Sequence, residues 1–337
     1  MASRIPVLNQ REVVDFLKRP ESFGLAGPED VRCIETHGAL IFLAGEFAYK
    51  LKRDVRLPYL DFSTLERRRL ACENEVRLNR RTAPDLYLGT VPVIQSNSGT
   101  LAIGSGDDDG ADGGEIVDWL VKMRRFPDDA LLSRVVAREP LSPKIVHRLA
   151  DMIADFHQRA EKSNAWGGAD ELARIARGDA ESMARFTPDL FDPARAQAVA
   201  DGMLRVVEKQ RGNLEWRREN GFVRHGHGDL HLANIYLDEG QPRLFDAIEF
   251  DDRLAQNDVL YDLAFLLMDL WHRDLRGEAN RVFNRYLLRT GDLAGLGALP
   301  LFLSLRAGIR AHVSATMAAG SNADERKSEL RAEAVRY

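Results

Sequence analysis

The sequence predicts a two-lobed α+β protein, with a sheet-rich N-terminal lobe and a mostly helical C-terminal lobe. Three observations carry this. Residues 31–126 hold short β-rich runs broken by glycine, with one long charged helix among them. Beyond Pro127, apolar residues recur at helical spacing and glycine is sparse until Gly221. One hairpin pattern interrupts the helices: Ile235-Tyr236-Leu237, a turn at Asp238-Glu239-Gly240, then Arg243 to Phe250. A length of 337 residues also exceeds the ~100–200 of a typical single domain.

The elements follow in order. Asn9 caps a helix with Glu12 at its third position, Val13, Val14, Phe16 and Leu17 form one face, and Pro20 stops it. Val31 to Lys52 reads as three strands separated at Gly38 and at Gly45-Glu46. Ser63-Thr64-Leu65-Glu66 is a capping box that opens a helix to about Arg81, before Pro84. Val91–Ile94, Thr100–Ile103 and Glu115–Phe126 are further strands. The acidic run from Gly104 to Gly114 lacks the alternating carboxylates and closing Glu of a calcium loop, so it reads as a solvated hairpin tip. Ile145, Leu149, Met152, Ile153 and Phe156 share a helix face. Helices run again from about Asp258, with a polar tail from Ala318 broken at Ser321–Asp324. The expected lobes are residues 1–126 and 127–318, with a polar helix or tail over 319–337.

Composition narrows the function classes. Hydrophobic residues at 45% supply a sizeable core and exclude a disordered chain. With 47 basic against 52 acidic residues the chain lacks the basic footprint of a nucleic-acid binder. Cys33 and Cys72 alone build neither a disulfide framework nor a zinc site. The longest apolar run, Leu293 to Leu305, is shorter than the ~20 residues of a membrane span and contains Pro300. No signal-peptide core is present at the N-terminus, so the expected location is the cytoplasm.

The chemistry gathers in His225-Gly226-His227-Gly228-Asp229-Leu230-His231-Leu232-Ala233-Asn234, followed beyond the hairpin turn by Leu244-Phe245-Asp246. Phosphoryl transfer from ATP needs a carboxylate to orient the acceptor hydroxyl, oxygen ligands for Mg²⁺ and a cation on the α/β-phosphates. His227-x-Asp229-x-x-x-x-Asn234 supplies the base Asp229 and the metal ligand Asn234 from one tight loop, and Asp246 supplies an anionic ligand. Alternating His225, His227, Asp229 and His231 also suggest the metallo-β-lactamase metal motif. There the last histidine directly follows the aspartate, whereas here Leu230 intervenes, and metal sites tolerate little misplacement.

These residues resemble the aminoglycoside phosphotransferase family, a small-molecule branch of the protein-kinase-like fold. Further segments carry the resemblance: Glu35-Thr36-His37, Ala48-Tyr49-Lys50, Leu60 to Glu66, Leu78 to Leu88, Lys122 to Phe126, Leu244 to Phe250 and Asp258 to Ala264. They point to a bacterial subgroup in which such a domain precedes a P-loop ATP-binding domain. This chain has no G-x-x-x-x-G-K-[ST] of its own. The resemblance therefore implies either a stand-alone remnant or a piece of a longer protein, with an exposed apolar strip on the last helices where a P-loop partner would pack.

The resemblance also implies roles. Lys50, in Ala48-x-Lys50, would hold the α/β-phosphates of ATP. Lys52 points to the same face, because strand side chains alternate, and reads as a solvated strand end. The partner of Lys50 is a helix glutamate. Glu73 and Glu75 flank the Leu65, Cys72, Val76 stripe on opposite sides, and the following Val-x-Leu pattern favours Glu75. Thr36-His37-Gly38-Ala39 replaces a glycine-rich phosphate loop with one glycine, leaving His37 and backbone near Gly38 for the phosphates. Adenine is expected against the linker near Met123 to Arg125. Asp262 either braces the catalytic loop or caps locally. Glu249 reads as a strand-end surface charge rather than an extra ligand. His157 reads as a packed, hydrogen-bonded histidine, and Trp166 and Trp271 as core or interface. The expected activity is Mg²⁺- and ATP-dependent phosphorylation of a small-molecule hydroxyl. The alternative is a kinase-like module that binds nucleotide without transfer and serves a P-loop partner domain.

Overall fold

The computed structural model describes residues 9–27, 31–57, 60–105, 114–321 and 323–337. The core of the acidic hairpin tip, 106–113, lies outside the described residues, as do the N-terminal eight and Asn322 of the expected tail break. The chain divides into two compact units, Met1–Asp128 with Leu244–Asp251, and Asp129–Arg243 with Asp252–Tyr337. The short stretch after the hairpin thus belongs with the N-terminal residues.

The first unit is an antiparallel six-stranded sheet flanked by helices α1 (Gln10–Leu17) and α2 (Leu65–Asn79). Its strands are β1 (Val31–Glu35), β2 (Ala39–Ala44), β3 (Phe47–Lys52), β6 (Tyr87–Gln95), β7 (Leu101–Ile103) and β8 (Glu115–Arg124), in the order β1-β2-β3-β8-β6-β7. A small ribbon, β4 (Arg56–Leu57) and β5 (Leu60–Asp61), precedes α2. The period of two decides what each face carries. Tyr49 and Leu51 join Phe42, Leu120 and Val93 in a core closed by Val13, Phe16 and Leu17 of α1. Lys50 and Lys52 therefore turn to the opposite face, where α2 lies. Asn9 caps α1 as expected, accepting from the Arg11 amide. The α2 cap sits one residue later than the capping box predicts. Thr64 accepts from Arg67, and Glu66 pairs with Arg69 on the helix surface instead of reaching back.

The second unit is helical. Its helices are α3 (Leu132–Arg138), α4 (Pro143–Arg159), α5 (Gly168–Ala184), α6 (Pro193–Glu219), α7 (Asp252–Ala255), α8 (Val259–His272), α9 (Arg276–Thr290), α10 (Leu299–Gly320) and α11 (Asp324–Arg336). Strands β9 (Val223–His225) and β12 (Gln256–Asp258) pair antiparallel, as do β10 (Ile235–Asp238) and β11 (Gln241–Leu244). Helix α8 is buried without a break from Val259 to Leu270, which marks it as the unit's axis. Its start is fixed by Arg217, fully buried, whose guanidinium bonds Asp258 at 2.6 and 2.8 Å and Asp292 at 2.6 and 2.7 Å. Asp258 also caps α8 through the Leu260 amide.

Two expectations need correction. The second hairpin strand stops at Leu244, not Phe250, because the chain bends at Asp246 into the left-handed region, with φ of 63°. The last helices show no continuous apolar strip. Leu301, Phe302, Leu305, Ala311, Ala315 and Ala318 of α10 are buried with Leu330 and Ala334 of α11, and Val335 is the large apolar side chain of α11 left exposed. Leu288 at the end of α9 and Leu293 and Leu296 in the loop after it are exposed instead. For Trp271, read as core or interface, exposure excludes the core, and Arg276 lies over its ring. No helix among the described residues is long and apolar enough to cross a membrane.

Candidate active site

In the first unit, buried charges meet on the α2 face of the sheet. Lys50 Nζ donates to Glu75 Oε1 at 2.8 Å and to Asp246 Oδ1 at 2.6 Å. Glu73 faces outward and pairs with Arg69 at 2.6 Å. Lys52 corrects its sequence reading. It is 2% exposed and pairs with Glu75 and with Glu249, so neither Lys52 nor Glu249 is a surface charge. Alternation supplies the reason, since the residue two positions from a buried lysine shares its buried face. Burial lowers the Lys50 pKa, but Asp246 and Glu75 outweigh it and raise it well above the usual lysine range. Burial pushes Glu75 up, yet Lys50 and Lys52 dominate and hold it down at about 2. Glu249 goes the other way, raised by burial against the pull of Lys52.

Asp246 is placed by its backbone. Its amide donates to Tyr87 Oη at 3.1 Å, the next amide, of Ala247, to Asn79 Oδ1 at 2.8 Å, and Thr82 Oγ1 donates to the Leu244 carbonyl at 2.9 Å. Asn79, Thr82 and Tyr87 thus position this stretch. The sequence resemblance includes their segment but assigns them no role. A non-glycine residue at positive φ costs roughly 1–3 kcal/mol, which these bonds offset. Met123 lies inside β8, paired with Ala48 and Tyr87 and buried, rather than in the linker that follows. His37 is exposed at the β1–β2 turn, where Thr36 Oγ1 and the Ala39 backbone bond to one another and the Gly38 carbonyl accepts from Arg53.

In the second unit, Asp229 and Asn234 share one loop. Asn234 Nδ2 donates to Asp229 Oδ2 at 2.8 Å and to the Asp229 carbonyl at 3.0 Å. His231 Nε2 stands 3.3 Å from Asp229 Oδ2. Burial raises the Asp229 pKa, but the His231 charge and hydrogen bond overcome it and leave the carboxyl below the ordinary range. Reciprocally, burial lowers the His231 pKa and Asp229 raises it, with a net rise.

Buried carboxylates hold the loop. Asp262, fully buried, accepts from the His227 amide at 2.7 Å and the Gly228 amide at 2.9 Å, and meets His157 Nε2 at 3.2 Å. This brace decides between the two sequence readings of Asp262, and His157 is the packed histidine expected, with Tyr286 on its other nitrogen at 2.9 Å. Burial raises the Asp262 pKa, the His157 hydrogen bond and charge lower it, and it settles at about 2. A Cβ on Gly226 would stand 2.6 Å from Asp262 Oδ2, so the brace needs glycine there. Gly228 takes φ of 81°, turning the chain into Asp229. Sequence reasoning missed two further supports. Asp269, two turns along α8, accepts from the Leu232 amide at 2.9 Å. Arg306 of α10, buried, donates to the Gly228 carbonyl at 3.0 Å. An i, i+7 pair of aspartates in an apolar helix is the signal that could have found Asp269.

Of the candidate metal ligands, Asp246 thus belongs to the first unit and Asn234 to the second. Both offer oxygen, the donor Mg²⁺ prefers. Asp246 has one oxygen on Lys50 and a side chain 41% exposed, and the Asn234 amide nitrogen is committed to Asp229, which leaves its oxygen for a cation. Among the described residues no group of three or more His, Cys, Asp or Glu forms a metal cage.

Comparison with known proteins shows the family. The profile of a family described as the phosphotransferase enzyme family (APH) matches residues 61–299. Proteins of Mycobacterium tuberculosis and Mycobacterium bovis, both described as uncharacterized, are 31% identical over 318 residues. The match takes in 91% of this chain, and the chain spans 58% of the length of those relatives. A choline/ethanolamine kinase family protein from Mesorhizobium loti is similar in structure, with a TM-score of 0.50 and 14% identity over 97% of this chain and 98% of its own. The aminoglycoside phosphotransferase APH(4)-Ia has a TM-score of 0.48 and 14% identity over 97% of this chain and 99% of its own.

Proposed function

From the premise that this chain belongs to the phosphotransferase enzyme family, we propose that it transfers a phosphoryl group from Mg·ATP to a hydroxyl of a small molecule. The observation that carries the proposal is Asp229: an ionised carboxylate, oriented by Asn234 and His231, with a side chain still 38% exposed. Such a group accepts a hydrogen bond from an alcohol and takes its proton as the oxygen attacks. Lys50, kept charged by Glu75 and Asp246, is the cation for the α/β-phosphates. In this reading Asp246 offers Mg²⁺ a carboxylate oxygen and Asn234 an amide oxygen. His37 and the Gly38 backbone serve the phosphates, and Met123 lines the adenine side. Bound Mg·ATP supplies the transferred group and neutralises its charge.

One observation favours a second reading, nucleotide binding without transfer. The β1–β2 turn has a single glycine and an exposed His37 where kinases close over the phosphates. In that reading the domain serves a P-loop partner, and the length of the curated relatives beyond the matched stretch leaves room for one. Asp229→Asn separates the two. Transfer requires ATP turnover to fall by ~10²–10⁴-fold with folding and ATP binding retained. Turnover unchanged by the substitution, or none in the wild type against a metabolite panel, overturns the transferase reading.

A further inference from the structure

The acceptor family commonly named for these enzymes is polycationic, and a polycation needs uncommitted carboxylates around the base. The buried aspartates packed about the 225–234 loop and α10 are committed elsewhere. Asp262 is spent on His227, Gly228 and His157, and Asp269 on the Leu232 amide and on Arg273 at 2.8 Å. Asp179 is 3% exposed behind α10, where a Cβ on Gly308 would stand 2.7 Å from it, and it faces His312 at 3.2 Å.

Cations are arranged differently. Arg306 and Arg310 stand one turn apart on the same face of α10. Arg306 reaches the carbonyl of Gly228, the residue before Asp229. Arg310 is therefore the next side chain along that face, and its charge and that of Asp229 act on one another. Its side chain is 26% exposed, and its carboxylate neighbour, Glu333 of α11, stands 3.8 Å away, outside hydrogen-bond distance. The Tyr337 ring, stacked on His272 at 3.7 Å, lies beneath it at 5.8 Å, and the Tyr337 hydroxyl accepts one of its hydrogen bonds, leaving its other N–H groups for a ligand. A half-buried guanidinium with an aromatic wall and no tight ion pair is built to receive a planar or tetrahedral anion.

We propose that the acceptor carries an anionic group, carboxylate or phosphate, near its reacting hydroxyl, and that Arg310 binds that group. The proposal rests on the phosphotransferase reading of Asp229 and names the substrate class for it. Arg310 sets specificity: it orients the hydroxyl toward Asp229 by holding the neighbouring anionic group, and it disfavours polyamines by like charge.

The test uses the full chain saturated with Mg²⁺ and a non-hydrolysable ATP analogue, so that the nucleotide side is filled. Four probes are titrated by thermal shift: glycerate, glycerol 3-phosphate, glycerol and kanamycin. The expected result is stabilisation by glycerate or glycerol 3-phosphate and none by glycerol or kanamycin; which anion acts tells carboxylate from phosphate. Arg310→Gln should weaken anion binding about tenfold or more, and Arg310→Lys should restore part of it. Glu333→Gln, a near-isosteric change at a partly exposed position that removes the competing carboxylate, should strengthen it a few-fold. A structural role for Arg310 does not predict that opposite sign. Stabilisation by kanamycin above the anions, no shift with either anion, or an anion shift that survives Arg310→Gln overturns the proposal. Failure of the underlying reading looks different: ATP turnover indifferent to Asp229→Asn, with the anion shift intact. Asp229-dependent phosphorylation of neutral or cationic acceptors would keep the transferase and discard the anion.

Discussion

The two units hold their chemistry by opposite means. In the first, Lys50, Lys52, Glu75, Asp246 and Glu249 hold one another, side chain to side chain. In the second, Asp262 and Asp269 hold backbone amides, so the loop itself is fixed and Asp229 is left partly open. A cluster of mutually neutralising charges tolerates balanced loss and suffers from unbalanced loss. A backbone brace tolerates neither, because the amides it serves cannot be removed.

The largest effect follows from that difference. Asp262→Ala strands the His227 and Gly228 amides in a buried place and should cost about 3–5 kcal/mol of stability, measured by urea denaturation. It should also abolish turnover, since the loop carries Asp229. A loss under about 1 kcal/mol would mean that the loop holds its shape without the brace.

Lys52→Met comes next. It leaves Glu249 buried with its cation gone and should cost about 3 kcal/mol. Adding Glu249→Gln removes the orphaned charge and should recover about 1–3 kcal/mol, so the double mutant is more stable than Lys52→Met alone. The same denaturation series measures it. Additive losses would show that the cluster is a set of independent surface-like pairs, and the contrast between the units would fail.

The contrast also explains what was legible in the sequence. Asp229 and Asn234 lie five residues apart in one loop, so spacing alone reveals that they cooperate. The three strands of residues 31–52 and the helix after Thr64 are likewise local patterns. Glu75 and Lys50 could be joined only by helix phase together with resemblance. Alternation puts Lys52 on the face of Lys50, but Lys52 and Glu249 lie almost two hundred residues apart, and no local pattern names that partner. The bend at Asp246 was hidden because a strand-like composition continues through Phe250, while the bonds that break the strand come from Asn79, Thr82 and Tyr87. Arg306 and Arg217 were hidden for a similar reason: an arginine in a helix reads as surface unless its buried partners are known.

Acid should separate the units further. Glu75 at about 2 and Asp262 at about 2 sit below the ordinary carboxylate range. The stability each contributes is fully present above pH ~4 and is lost as pH falls toward 2, about 2–3 kcal/mol for Asp262. In the first unit this loss is opposed. Glu249 and Asp118, both raised by burial, favour the fold below the ordinary carboxylate range and lose that contribution as pH rises through their folded values. In the second unit Asp229 and Asp262 are both lowered, and Asp179 alone of these buried aspartates is raised. Hydrogen exchange compared between pH 5 and pH 3, corrected for intrinsic rates, should show α8 and the 225–234 loop losing protection before β3 and α2. Simultaneous loss would mean that the brace and the cluster titrate as one.

The smallest effect tests how Asp246 is aimed. Tyr87→Phe removes the acceptor of the Asp246 amide and little else, since the ring stays packed at 1% exposure. One buried hydrogen bond contributes about 1 kcal/mol, so stability should fall by that amount. The informative readout is nucleotide affinity with and without metal. If the left-handed turn at Asp246 exists to present a carboxylate to Mg²⁺, loosening it should weaken ATP binding several-fold in Mg²⁺ and leave binding in EDTA unchanged. Lys50 shares an oxygen of Asp246, so a turn that instead serves to neutralise the lysine would weaken binding equally in both conditions. The split between the two titrations therefore tells whether Asp246 belongs to the metal or to the charge cluster around Lys50.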